Sequence, residues 1–210
     1  MSDPVLQRES LARSMSGVVS DRGPLRAFVH GVRADHAAVQ RGDAKYGARD
    51  AAAGGSLLFD AIRRIGFQMM IAYRFMRLLR AWRLTPLAMI TSRMIRHLYG
   101  AEMHWDAELA PGVVLVHGSA LVVSREARVA SGCILFQSVT LGVSIDPVTR
   151  VSGGPTLEED VHVGPGAALL GPITIGRGTK IMANATVMAS VPPNSVVEVA
   201  SVTVRSRAPR

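Results

Sequence analysis

Six apolar residues, Leu157, Val163, Leu169, Ile175, Ile181 and Val187, recur at every sixth position of the chain. An α-helix repeats at about 3.6 residues and a half-buried strand at two. A period of six kept from Leu157 to Val187 fits neither alone. It fits a chain coiled into stacked turns, each with three short flat faces, which is the signature of a hexapeptide parallel β-helix. Small residues follow the apolar one in Val163-Gly164 and Ile175-Gly176, where a tight corner between faces suits glycine. Glu158, Met182 and Met188 take that place on other rungs, so the pattern is degenerate but in register.

The ladder continues upstream through Val123, Val129, Leu135 and Leu141, and again through Met103, Leu109, Leu115 and Leu121. These two frames are offset by two residues, which predicts two extra residues within 117–123. A second interruption separates Leu141 from Leu157, a gap of sixteen that is not a multiple of six. Within it, 143–154 contains Asp146-Pro147 and Gly153-Gly154, both turn-forming pairs, and is expected to leave the coil as a loop.

The first half of the chain has a helical period. Residues 25–40 and 56–83 suit helices, with Ala51-Ala52-Ala53-Gly54-Gly55 as a break between them. The second has a broad apolar face and Arg63, Arg64, Arg74, Arg77 and Arg80 opposite it. Pro86 opens a further helix to about Leu98, and Gly100 closes it. The expected organisation is a flexible segment over 1–24, an α-helical domain over 25–101, a mainly β solenoid over 102–204 and a tail over 205–210. A basic amphipathic helix suits a membrane surface. Helix-on-helix packing, between subunits included, accounts for the same pattern and is the expectation.

Composition narrows the classes. The chain has 210 residues, of which 48% are hydrophobic and 5% aromatic, which suits a narrow solenoid filled by aliphatic side chains. No apolar run is long enough to span a bilayer, and the charged start of the chain has no signal-peptide pattern. A single cysteine, Cys133, allows no internal disulfide, so a reducing cytoplasm is expected and Cys133 reads as a small core residue. The net charge is +8. Without zinc-finger, helix-turn-helix or aromatic–basic RNA motifs, nucleic acid is not an expected partner, and no metal site is expected.

Two histidines stand in the solenoid half. His162 lies in a regular rung and reads as a surface residue. His117 lies beside the two-residue slip, where an irregular coil exposes side chains as a bulge does in a sheet. Histidine titrates near neutrality and is the commonest general base.

The stretch Cys133-Ile134-Leu135-Phe136-Gln137-Ser138-Val139-Thr140-Leu141-Gly142 resembles a string of the serine acetyltransferases, and His117-Gly118-Ser119-Ala120-Leu121-Val122-Val123-Ser124 stands at the family's spacing before it. Val163-Gly164-Pro165-Gly166, Val191-Pro192-Pro193, Ala38-Val39-Gln40-Arg41-Gly42-Asp43 and Ala72-Tyr73-Arg74 resemble further family segments, so the likeness spans roughly 35–195. It implies a left-handed parallel β-helix behind an α-helical N-terminal domain, a homotrimer or dimer of trimers, and acetyl-CoA in a groove between coils. It implies His117 as general base towards an acceptor hydroxyl, oriented by a carboxylate fifteen residues earlier, which is Glu102 here rather than the family's Asp. Gly142, Gly164 and Ala183 match small positions of the cofactor groove, Lys180 matches a basic one, and Arg177 is near enough to help.

The departures fall on the acceptor side. Val116 replaces an Asp before the base, and Arg125 replaces a Glu. Gly153-Gly154 stand before Pro155, where the family has an Arg-His pair that holds the amino-acid carboxylate. Arg150 is the cation that could take over, and Asp43 still matches. The chain ends Ala208-Pro209-Arg210 without the Ile that docks a cysteine-synthesis sulfhydrylase, so no such partner is expected. Three readings stay open: acetyl transfer to L-serine, transfer to a saccharide or secondary-metabolite hydroxyl, and an inactive solenoid used for assembly.

Overall fold

The computed structural model describes residues 23–46, 56–146 and 148–200. The 51–55 break, the tail over 205–210 and nearly all of the 1–24 segment lie outside them.

The solenoid has three faces of short parallel strands. The first face holds β1 (Glu102–Met103), β4 (Val122–Val123), β7 (Thr140–Gly142), β12 (Ala168–Leu170) and β15 (Thr186–Val187), in that order. The second holds β2 (Glu108–Leu109), β5 (Arg128–Val129), β10 (Thr156–Leu157) and β13 (Thr174–Ile175). The third holds β3 (Val114–Leu115), β6 (Ile134–Leu135), β11 (His162–Val163), β14 (Lys180–Ile181) and β16 (Val196–Val197). Each ladder residue except Leu121 is the inward member of its strand, and all are buried. Registers such as Val123 with Leu141 and Leu141 with Leu169 stack them directly.

A second inward column stands two residues before the first, as in Val139 with Leu141 and Ala167 with Leu169. Leu121 belongs to this column, on the rung of Val123. The slip therefore lies in 117–120, a narrower place than the apolar spacing alone defines. The second interruption is an antiparallel hairpin of β8 (Ser144–Ile145) and β9 (Ser152–Gly153). Its turn is built by Asp146, whose carboxylate accepts from the Val148 and Thr149 N–H groups at 2.9 and 2.7 Å. Those donors hold the exposed Asp146 carboxyl below its ordinary pKa.

Among the described residues, four helices precede the coil: α1 (Pro24–Tyr46), α2 (Leu57–Arg63), α3 (Ile65–Ala81) and α4 (Thr85–Tyr99). The single helix expected over 56–83 is two, broken at Arg64, whose backbone is extended at φ −104° and ψ 104°. Ser56 caps α2 by accepting from the Phe59 N–H. Gly100 ends α4 in the left-handed region at φ 60°. Met69, Met70, Tyr73, Met76 and Ile95 join the solenoid interior in one core. Val32, Ala38, Val39 and Phe67 cover the outward side chains Val114 and Ile134 of the third face. The amphipathic pattern of α3 is thus explained by packing within the chain. No helix among the described residues is long and apolar enough to cross a membrane.

A buried ion pair ties the halves together. Arg74 meets Asp35 through Nε at 2.9 Å and Nη2 at 3.0 Å. The same guanidinium donates to the carbonyls of Leu109 and Ala110, and Asp35 accepts from the Gly112 N–H at 2.8 Å. Tyr73 donates to the Ala107 carbonyl and accepts from the Leu109 N–H. Removing one member strands the other in a dry site. Asp35→Ala is expected to cost about 3–5 kcal/mol, read as a fall in Tm of roughly 10 °C by circular dichroism.

A second carboxylate, Asp60, joins α1 to α2. It accepts from Gln40 at 2.6 Å and Arg64 at 2.8 Å, and its Oδ2 lies 2.9 Å from His36 Nε2. Burial alone raises its pKa, but hydrogen bonds and charge from Arg64 and His36 together bring it below the ordinary value. Its contribution is present above the unfolded-state pKa near 4 and is lost as pH falls through the folded value. Urea midpoints measured from pH 6 down to pH 3 should decline, and Asp60→Asn should flatten part of that decline.

Candidate active site

The extra residues of the first interruption make a corner unlike the others. His117 and Gly118 both have positive φ, at 64° and 63°, and Ala120 follows at 53°. A left-handed conformation costs a non-glycine residue roughly 1–2 kcal/mol, so packing must hold it. The holding element is α3. A Cβ on Gly66 would lie 1.9 Å from the Leu115 carbonyl oxygen, so the helix backbone rests on β3. A Cβ on Gly118 would lie 2.5 Å from Met69 Sδ, so the next turn of α3 sits beneath the corner. The result is an exposed imidazole on a pinned backbone.

The strand registers place other candidates in the same column. Leu115 pairs with Leu135, Leu135 with Val163, and Val163 with Ile181. Two residues beyond each stand His117, Gln137, Pro165 and Ala183, with Gly164 one position earlier. Coils stack at about 4.8 Å, so this edge runs about 14 Å from His117 to Ala183. Gly164 is close-packed, since its Cβ would lie 2.8 Å from the Ala183 nitrogen. Lys180 is exposed on the third face beside His162, at the far end of the strand that leads to Ala183. Gly142 lies at the opposite corner of the first face, in register with Leu170. The structure therefore gathers His117, Gly164 and Ala183 on one edge, with Lys180 flanking it and Gly142 apart.

Glu102 is half-exposed and pairs with Arg96 at 3.0 Å. Among the described residues no hydrogen bond links it to His117. Arg96, in the last turn of α4, holds the carboxylate instead. Arg177 is likewise taken, by Glu159 at 3.2 Å. Asp43 lies in α1, with its side chain outside the described set. Arg150 is exposed near the end of the β8–β9 turn at φ 59°. Gly153 and Gly154 are buried, and a Cβ on Gly154 would lie 2.7 Å from the Glu126 carbonyl carbon. Cys133 is buried, its thiol pushed up to about 12 chiefly by burial, which leaves no nucleophile there. A hollow of about 590 Å³ along α1, between Leu25 and Ala34, contains none of the candidates.

Residues 154–189 match the family described as Bacterial transferase hexapeptide (six repeats). A serine acetyltransferase of Synechococcus elongatus is 36% identical over 134 residues, which are 63% of this chain and 53% of that protein. One from Escherichia coli K12 is 34% identical over 133 residues, 62% of this chain and 47% of the relative. The chain resembles the serine acetyltransferases. It matches only about half the length of these relatives. The serine acetyltransferase isoform 3 of Entamoeba histolytica, solved in complex with cysteine, superposes with a TM-score of 0.70 at 26% identity, covering 89% of this chain and 64% of that one. The Neisseria gonorrhoeae enzyme gives 0.69 at 27%, covering 82% and 65%. The coil is thus the left-handed parallel β-helix, preceded by helices.

Two features of the site escape the pattern of apolar positions. Gln137 stands next to His117 in the column, and its Oε1 is a buried acceptor without a partner among the described residues. Its only sequence signal is the Gln137-Ser138 string. The Gly66 and Gly118 contacts give no periodic signal at all. Gly66→Ala must displace the β3 backbone and is expected to lose about 1–3 kcal/mol. Gly42→Ala, in α1 with nothing within 4 Å of its Cβ, should gain about 0.5–1 kcal/mol. Thermal melts of the two variants, shifting in opposite directions, check the contact.

Proposed function

We propose that the chain is an acetyl-CoA-dependent O-acetyltransferase that passes the acetyl group directly to an acceptor hydroxyl, with His117 as the general base. The observation behind this reading is the single edge on which His117 begins a column ending at Gly164 and Ala183. An extended pantetheine arm laid along those rungs would bring its thioester to the imidazole. His117 would take the hydroxyl proton as the oxygen attacks the thioester carbon, and return it to the departing thiolate. No covalent enzyme intermediate is needed, in keeping with the inert Cys133. Gly164 would admit the arm to the backbone, and Lys180 would meet a phosphate of the cofactor as a point charge. Gly142 would belong to the same groove only from its far corner.

Glu102 is a positioning residue in this scheme. Leaving Arg96 would let its carboxylate turn to the imidazole and stabilise the imidazolium; the exposed pair it leaves is worth at most about 1 kcal/mol. The edge is open on one side in a single chain, and a homotrimer, alone or paired, would wall it with a neighbouring copy.

L-serine is the first acceptor to consider. The resembling proteins are named serine acetyltransferases, and one of them, from Neisseria gonorrhoeae, is solved in complex with serine. A different hydroxyl compound, such as a saccharide or a secondary metabolite, is the second. It is favoured by Gly153 and Gly154, which bring no cation to the hairpin base and whose close packing leaves no room for one. Arg150 and Asp43 would then be the charged groups left to meet an amino acid.

Thiol release from acetyl-CoA, measured against serine and a panel of other hydroxyl compounds, tests both. Efficient turnover with serine would remove the second reading. No turnover with any acceptor, together with no cofactor binding, would favour an assembly module. His117→Ala should lower kcat by about 100-fold or more. Glu102→Gln should lower it less.

A further inference from the structure

Helix α4 turns only part of its apolar surface inward. Ala88 and Ile95 are buried at 0% and 2% exposure. Leu87, Ile90, Met94 and Leu98 are 48%, 55%, 53% and 66% exposed. At about 3.6 residues per turn these four fall on one stripe, roughly a third of a turn from the buried face. The preceding turn adds Trp82 and Leu84, at 48% and 41%. Tyr99 at the end of α4 donates to Gln68 Oε1 at 2.8 Å, and Gln68 donates to the Ile62 carbonyl at 2.7 Å. This relay sets Ile62, in the last turn of α2, near the end of α4; Ile62 and Leu58, one turn earlier, are each 70% exposed. An exposed apolar stripe of this kind marks an interaction site.

Charge decides what kind of partner fits. From Leu57 to Tyr99 the chain has eight arginines and one acidic residue, Asp60; Arg74, Arg80 and Arg96 are paired with Asp35, Asp106 and Glu102 from outside this stretch. Asp60 is buried and already paired with Arg64. Arg93 and His97 flank the stripe on one side and Arg83 precedes it; all three are exposed. Arg83 and Arg93 have no acidic partner among the described residues. A second copy meeting this face with its own would set arginine against arginine. An anionic phospholipid surface accepts the apolar stripe into its acyl boundary and the guanidinium groups among its headgroups.

We propose that this face docks the protein peripherally on an anionic membrane surface, with α4 lying in the plane of the interface. The proposal is independent of the acetyl-transfer reading, because binding is read without substrate. The test is flotation of the purified full chain with vesicles of phosphatidylglycerol and phosphatidylcholine, against vesicles of phosphatidylcholine alone, at low and high salt. The expected result is flotation with the anionic vesicles that weakens with salt. Ile90→Glu combined with Met94→Glu, both at exposed positions, should weaken it by at least tenfold. Arg93→Gln, which removes no apolar contact, should weaken it about fivefold. Four results would overturn the proposal. They are no flotation, equal flotation with neutral vesicles, binding unchanged in both variants, and sedimentation showing that the double variant splits a larger assembly, which would mean a second copy covers the stripe.

Discussion

The guanidinium of Arg74 is the point on which the two halves of the chain are registered. It is a buried cation, and such a group is tolerated only when its donors are matched. Here they are matched by both kinds of neighbour at once: the Asp35 carboxylate from α1 and the Leu109 and Ala110 carbonyls from the first coil. Asp35 then binds the Gly112 N–H of the same coil corner. The arrangement cannot slide by one residue without stranding a charge. With α3 so placed, Gly66 and Met69 come to rest under β3 and the His117 corner, and the irregular coil gains a fixed floor.

A solenoid turn sees only its neighbours, so an irregularity in one coil stays local. Two are present, and they do different work. The slip at 117–120 raises an imidazole at the head of a regular edge. The β8–β9 hairpin leaves the coil between β7 and β10 and presents Val143, Ile145, Val148 and Val151 to solvent. The regular coils supply the straight edge; under the proposed reading, the two departures would supply the chemistry and the approach of a second substrate.

Much of this is visible in the bare chain, because a period of six is a direct image of the coil. The inward residues, the place of the slip to within a few positions and the hairpin segment all follow from apolar spacing. The family strings led to His117, Gly164 and Ala183, which the registers do align. What stays hidden depends on contacts between distant segments. The helix break at Arg64 stands two residues before Gly66, which meets β3, a contact with no local signature. The Glu102–Arg96 pair depends on where α4 ends relative to β1, which no spacing states. Leu121 misleads for a simpler reason: two inward columns exist, and a leucine suits either.

The burial of Cys133 has a use beyond packing. It is the sole cysteine of the chain, sits wholly inside the third face, and gives its hydrogen to the Glu158 carbonyl at 3.0 Å. With its thiol held near 12 it is silent to alkylating and disulfide reagents while the coils are closed. Once the stack parts, the thiol reverts to an ordinary, reactive one. The molecule thus contains its own single-site clock for opening, set in the coil that lies between the imidazole corner and the close-packed Gly164.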